Sequence, residues 1–334
     1  MNAARADDLP ARRRLRAGAG LFALLLGLRS GVRAGEPGQD PDAEESLGPI
    51  RIVVAYPPGG VSDRAARLLA EQLAQQMGVA VQVENRAGAG GAVALRALAR
   101  LPGDGRHLVF CAITPLELDP QLGGSAHAIA PVADVMATPF LLVGTPAFEG
   151  QDFADLLRLV HERSDGLRWA TSGIATTGHL VLEAVRHGSG GTITHVPYKG
   201  GGQQITDALG GQFELLSTNV GPLQMDYVHD GRFVPLAVGA PQRLPALPGV
   251  PTLAELGFAR ANHPSLFGLF APGSTPPARV RRLNAEVDRA LRQPVLRAAL
   301  LDAYSLPGGG SAADFAAEIV QESRRVQSLL GLRR

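Results

Sequence analysis

From residue 50 onward the chain alternates between short apolar runs and longer stretches of helical periodicity. Residues 50–55 form a continuous apolar run rich in β-branched side chains, the pattern of a strand buried on both faces. Pro57-Pro58-Gly59-Gly60 interrupts the run. Val61, Ala65, Leu68, Leu69, Leu73 and Met77 then recur at helical spacing, with Gly78 as a stop. A strand over 79–83, a helix over 92–100 and a strand over 107–113 follow. This β-α-β-α-β order predicts a parallel sheet covered by helices on both sides.

A second block repeats the pattern. It predicts strands over 140–143, 167–170, 192–196 and 213–216, with helices over 153–163, 177–186 and 203–209 between them. A last strand over 233–238 leads into a proline-rich bend at 241–251. Helices over 277–291, 294–303 and 312–330 have no strands of their own, so they are expected to return to the first sheet. The expected fold class is α/β: two lobes with parallel-rich sheets, one over 48–138 and 240–334, the other over 139–239. Two crossings, near 136–142 and 234–242, would join them. Parallel strand ends and helix N-termini then face a cleft between the lobes, where such folds place ligands.

The first 47 residues do not fit this alternation. Arg12, Arg13, Arg14 and Arg16 precede the apolar residues 17–28, and Val32-Arg33-Ala34 follows. A basic head, a short apolar centre and small residues before a cut are the parts of a secretory signal. The apolar stretch is shorter than the roughly 20 residues a membrane span needs. Residues 1–34 are therefore expected to be a signal peptide and 35–47 a flexible leader. The periplasm is the expected destination, by the general secretory route rather than the twin-arginine one.

Charge sharpens the picture. The whole chain carries +1, but residues 1–34 hold seven Arg and two Asp, so the rest carries 1 − 5 = −4. An acidic body without a basic stripe excludes a nucleic-acid binder. The single cysteine, Cys111, rules out an intrachain disulfide; inside the apolar residues 108–113 it reads as a buried structural thiol. Lys199 is the only lysine.

Two strand-to-helix junctions hold the candidate chemistry. In the first, Gly59 and Gly60 allow close backbone approach and Ser62 and Asp63 sit at a helix start, where free N–H groups favour an anion. The same residues would equally serve a plain turn and cap. In the second, Thr171-Ser172-Gly173-Ile174-Ala175-Thr176 supplies small and hydroxylated residues before another helix. His179 lies one turn in, where packing or capping is the commoner role. Gly88-Ala89-Gly90-Gly91 has Val93 where a dinucleotide fingerprint needs its third glycine. The eight histidines show no metal-ligand pairing, and Ser172 lacks the Gly-x-Ser-x-Gly elbow of a hydrolase. No cofactor, metal or catalytic group is expected.

From about residue 50 to 330 the chain resembles the tripartite tricarboxylate transporter receptors, the Bug-type periplasmic solute-binding proteins. The resemblance rests on Pro57-Pro58-Gly59-Gly60 with Asp63, on Glu84-Asn85-Arg86 with Gly88, Gly90 and Gly91, and on Pro102-Gly103-Asp104-Gly105. It continues through His195-Val196-Pro197-Tyr198-Lys199-Gly200, Pro248-Gly249-Val250-Pro251 and Phe267-Gly268. It implies a type II periplasmic binding-protein fold closing on a small carboxylated solute. The implied ligand set is Gly59, Gly60, Ser62, Asp63, Thr114, Ser172, Gly173, Thr176, His179, Tyr198, Thr218 and Asn219, with Tyr198 and Lys199 shaping the lobe first. Ala175, Thr218 and Leu266 depart from the family pattern and point to a less polar pocket. The implied partners are the solute and the membrane permease subunits of such a transporter, with the receptor itself a monomer. A sensory protein presenting its closed form to a membrane sensor is the alternative on the same fold.

Overall fold

The computed structural model describes residues 48–118 and 128–330; the expected signal peptide and leader lie outside them. In chain order the elements are β1 (Ile50–Val54), α1 (Val61–Met77), β2 (Val81–Asn85), α2 (Ala92–Leu98), β3 (His107–Ala112), α3 (Thr114–Leu118) and β4 (Ile129–Thr138). There follow β5 (Phe140–Gly144), α4 (Phe153–Glu162), β6 (Leu167–Thr171), α5 (Thr177–Ser189), β7 (Ile193–Pro197), α6 (Gly201–Leu209), β8 (Leu215–Asn219), α7 (Pro222–His229) and β9 (Val234–Gly239). The chain ends with β10 (Ser265–Pro272), α8 (Pro277–Leu291), α9 (Pro294–Asp302), β11 (Leu306–Pro307) and α10 (Ala312–Leu330).

Two sheets result among the described residues, in the orders β11-β4-β10-β3-β1-β2 and β7-β6-β8-β5-β9. Within these sheets parallel strand pairing is confined to β3-β1-β2 and β7-β6-β8. The other pairs, including β10 with β3 and β5 with β8, are antiparallel. Each sheet is thus mixed rather than parallel-rich, because strands that enter from the other lobe run against the βαβ strands. β4 and β10 are absent from the periodicity. Pro131 and Asp134 interrupt the first and Gly268 the second, and each lowers the apparent strand signal.

Both faces of each sheet are covered. On the first sheet, Ile52 and Val54 face α1, α8 and α9 through Leu69, Leu73, Leu283, Val287 and Leu300. Val53 and Ala55 face α2 and α10 through Leu95, Leu98 and Phe315. This explains the unbroken apolar run of β1 and the return of the C-terminal helices. On the second sheet α4 and α5 cover one face, and α6 and α7 the other.

The first crossing is Pro139, between β4 and β5. The second differs from the expected boundary at 239/240. Residues 240–262 pack on the second sheet: Leu247 and Val250 join the cluster under α6, Leu253 and Ala261 the one under α5, and Val238 bridges Thr252. Asn262 ties this excursion back through bonds to the Ala240 N–H (3.3 Å) and carbonyl (2.8 Å). The chain therefore returns to the first sheet at His263–Ser265, because the proline-rich bend carries apolar side chains that must be buried.

Candidate ligand-binding site

A cavity of about 400 Å³ lies between the two sheets, within the usual range for small-molecule sites, roughly 300–1,000 Å³. Its walls follow from the topology. β1, β3, β6 and β8 end at it, while the antiparallel β5 and β10 begin at it with Phe140, Ser265 and Phe267. Four helices start there: α1 behind Gly60, α5 with Thr177 and Gly178, α6 with Gly201 and Gly202, and α7 with Leu223 and Gln224. Their dipoles present positive ends and first-turn N–H groups to one space, the His179 N–H of α5 being capped by the Thr176 hydroxyl. Among the described residues, none lining it is charged, so the field they set there comes from helix ends and from Ser, Thr, Asn and Gln side chains. Such a site can hold an anion without a cationic side chain.

Of the residues expected from the sequence, Gly59, Gly60, Ser62, Ser172, Thr176, Thr218 and Asn219 line this cavity. Asp63, Thr114, Gly173, His179 and Tyr198 do not. Asp63 is only 4% exposed and braces the loop before α1. Its carboxylate accepts from the Gly59 N–H (2.9 Å), Arg67 Nε (3.1 Å) and Asn85 Nδ2 (2.8 Å). Burial pushes its pKa up, but those donors outweigh burial and hold it below the ordinary value. Thr114 is buried beside Pro115, which takes its place in the wall. Tyr198 donates to Asp207 (2.7 Å), and burial first, then Asp207, push its phenol up to about 12. His179 stands behind the second junction, stacked on His195. Lys199 is not in the wall either.

Several wall residues escaped the sequence reading, among them Tyr56, Gln204, Ser217, Gln224, Tyr227 and Ser265. Tyr56 ends the β1 run and donates no obvious pattern. Its hydroxyl accepts from the Ala112 N–H (3.0 Å) and lies 3.8 Å from the Cys111 sulfur. Cys111 is fully buried, and burial pushes its thiol up to about 12, in keeping with a structural role. Ser265 donates to Asn219 Oδ1 (2.8 Å), joining the start of β10 to the end of β8. No spacing rule links positions so far apart in sequence.

The lobes touch around the cavity. A Cβ on Gly90 would lie 2.6 Å from the Ile174 carbonyl, and Gly90 has φ +65°. Gly90→Val is therefore expected to hold the cleft open. Small-angle scattering should show a larger radius of gyration than wild type, and an unchanged radius would refute the contact as a closing surface.

The geometry agrees with comparison to known proteins. Residues 65–332 match the tripartite tricarboxylate transporter family receptor. BugT of Bordetella pertussis is 31% identical over 266 residues, covering 78% of this chain and 80% of BugT. An R. palustris protein solved with adipate is 30% identical at TM-score 0.75, covering 84% of this chain and 97% of that one. MatC of Rhodopseudomonas palustris, solved with bound malate, is 27% identical at TM-score 0.76, covering 84% and 98%. The two-lobed α/β architecture, the interlobe cavity and the extent of the match together place the chain in the tripartite tricarboxylate transporter receptor family, among the Bug-type solute-binding proteins.

Proposed function

We propose that the protein captures a small carboxylate in the interlobe cavity and delivers it to the permease subunits of a tripartite tricarboxylate-type transporter. The observation that carries this reading is the convergence of four helix N-termini on an uncharged, donor-rich cavity of about 400 Å³. The adipate and malate held by related proteins support the same chemistry. Gly59, Gly60 and Ser62 would grip the solute from one lobe, and Ser172, Thr176, Thr218 and Asn219 from the other. The basic and apolar N-terminal segment would export the chain to the periplasm, where the receptor acts as a monomer. Closure would be a population shift toward the state that binds ligand better.

The test is thermal unfolding with adipate, malate and their diamides. A ligand at 100-fold its dissociation constant adds about 2.7 kcal/mol. At roughly 2–4 °C per kcal/mol, that is a shift of several degrees for an acid and none for its amide. Apart from its own helical turn, no atom of the described residues lies within 4 Å of a Cβ placed on Gly202, at the cavity wall. Gly202→Leu should therefore keep the unliganded melting temperature and abolish the shift. A flat response to both acids, or equal shifts by acids and amides, would reject the carboxylate reading.

A further inference from the structure

The second junction is held by a hydrogen-bonded hub that the ligand contacts alone do not require. Thr171, fully buried at the end of β6, gives its hydroxyl proton to the Gly173 carbonyl (3.1 Å) and accepts from the Gly173 N–H (3.2 Å). Its oxygen also lies 2.7 Å from His195 Nε2 on β7. With the hydroxyl proton on the Gly173 carbonyl, the tautomer of His195 protonated at Nε2 donates to the Thr171 oxygen. Thr176 adds a second bond to the Gly173 carbonyl (2.7 Å).

The other ring completes the frame. His179 stacks on His195 with centroids 4.6 Å apart and planes 21° from parallel. Its Nδ1 accepts from the Ala175 N–H (3.4 Å), which leaves the proton on Nε2, 3.5 Å from Glu183 Oε1. Ala175 has φ +61°, a left-handed conformation in which a residue with a Cβ is strained. Something must over-determine that backbone, and the two imidazoles grip the loop on either side of it. Both rings stay neutral near pH 7. Burial, then the facing His179 and Arg186, push His195 down to about 4. Burial also lowers His179, against the opposing pull of Glu183.

We propose that His195 and His179 are positioning residues, a stacked imidazole pair that fixes the 171–176 loop so that Ser172 and Thr176 stand in the cavity wall. The link to ligand affinity rests on the carboxylate reading above; the link to loop order does not. The loop also meets the other lobe, since a Cβ on Gly173 would lie 3.1 Å from the Gly90 nitrogen. Its placement therefore sets both the wall and the closing contact.

Amide hydrogen exchange across residues 171–178 of the unliganded protein tests the pair, alongside calorimetric titration with adipate and malate. His195→Phe keeps a flat ring but removes the donor, and should raise exchange in this loop about tenfold or more while the sheets stay protected. His195→Gln restores an N–H donor and should return exchange toward wild type. Thr171→Val removes the hub with little change of shape and should match His195→Phe, which keeps the test decisive if the Phe variant fails to fold. Where wild type binds adipate or malate, the affinity should fall about tenfold in His195→Phe and recover in His195→Gln. Unchanged loop exchange in both His195→Phe and Thr171→Val, or no recovery with Gln, would overturn the proposal. Loop exchange that responds as expected in a protein that binds neither acid would uphold the positioning pair and reject the carboxylate reading.

Discussion

Asp134→Asn is expected to stabilise the protein by about 4 kcal/mol at pH 8 and to leave it nearly unchanged at pH 4. Asp134 lies on β4 beneath α10, with Oδ1 buried and without a hydrogen-bond partner among the described residues. Burial, then the charge of Glu318 on α10, push its carboxyl from 3.8 up to about 7. Glu318 is itself raised by burial and by Glu322. A raised carboxyl favours folding most fully below its unfolded pKa. Between about pH 4 and pH 7 the unfolded chain has released the proton that the folded chain keeps. Stability therefore falls by about 1.4 kcal/mol per pH unit, some 4 kcal/mol in all. Asn cannot ionise, so the gap between variant and wild type should open across that window and stay constant above it. Denaturant titrations of both proteins from pH 4 to pH 8 measure it. Parallel stability curves would show that Asp134 does not titrate as its surroundings require.

The second large effect is at the cavity. Asp63→Ala should destabilise the protein by about 3 kcal/mol and weaken carboxylate binding about tenfold. The carboxylate ties three separate pieces of chain: the Gly59 N–H before α1, Arg67 one turn along it and Asn85 at the end of β2. Hydrogen bonds to a buried charge are worth about 1.5–3 kcal/mol each, part of which water returns to the half-exposed Arg67. At roughly 2–4 °C per kcal/mol, the melting temperature should drop by about 6–12 °C. Binding weakens because the same carboxylate holds the loop that lines the cavity with Pro57, Pro58, Gly59 and Gly60. The pH dependence has the opposite sign to that of Asp134. A depressed carboxyl contributes stability above its unfolded pKa and loses it as pH falls through the folded value, so Asp63→Ala should hurt least in acid. Melting and calorimetry check both effects. A variant that melts and binds as wild type does would show that the brace carries no load.

The comparison of Asp63 with Asp134 shows how far sequence reading reaches. Asp63 stands at a predicted helix start and Asp134 outside any predicted element, and only the fold shows what each carboxylate meets. Asp63 meets Arg67 one helical turn away, a pairing visible in the spacing, but its other partners come from Gly59 and from β2. Asp134 sits in a strand that periodicity did not show, facing a helix nearly 180 residues later. The cavity divides the same way. Gly59, Gly60, Ser62, Ser172 and Thr176 stand at strand-to-helix junctions and were legible from local pattern. Ser265 became a wall residue only when β10 ran antiparallel into the first sheet, and Tyr56 and Gln204 only when the ends of β1 and α6 met across one cavity.

By itself, then, the sequence determined the alternation of the βαβ strands with their amphipathic helices, the α/β class, and the two glycine- and hydroxyl-rich junctions, but not β4 or β10. Each depends on contacts within a few residues, where side-chain periodicity and backbone freedom act directly. The tertiary structure decided the mixed pairing of the sheets, the second crossing at His263–Ser265 rather than 240, the brace at Asp63 and the imidazole pair behind the loop. Those depend on which distant surfaces exclude water together, and burial of that kind acts on side chains only after the chain has brought them into contact.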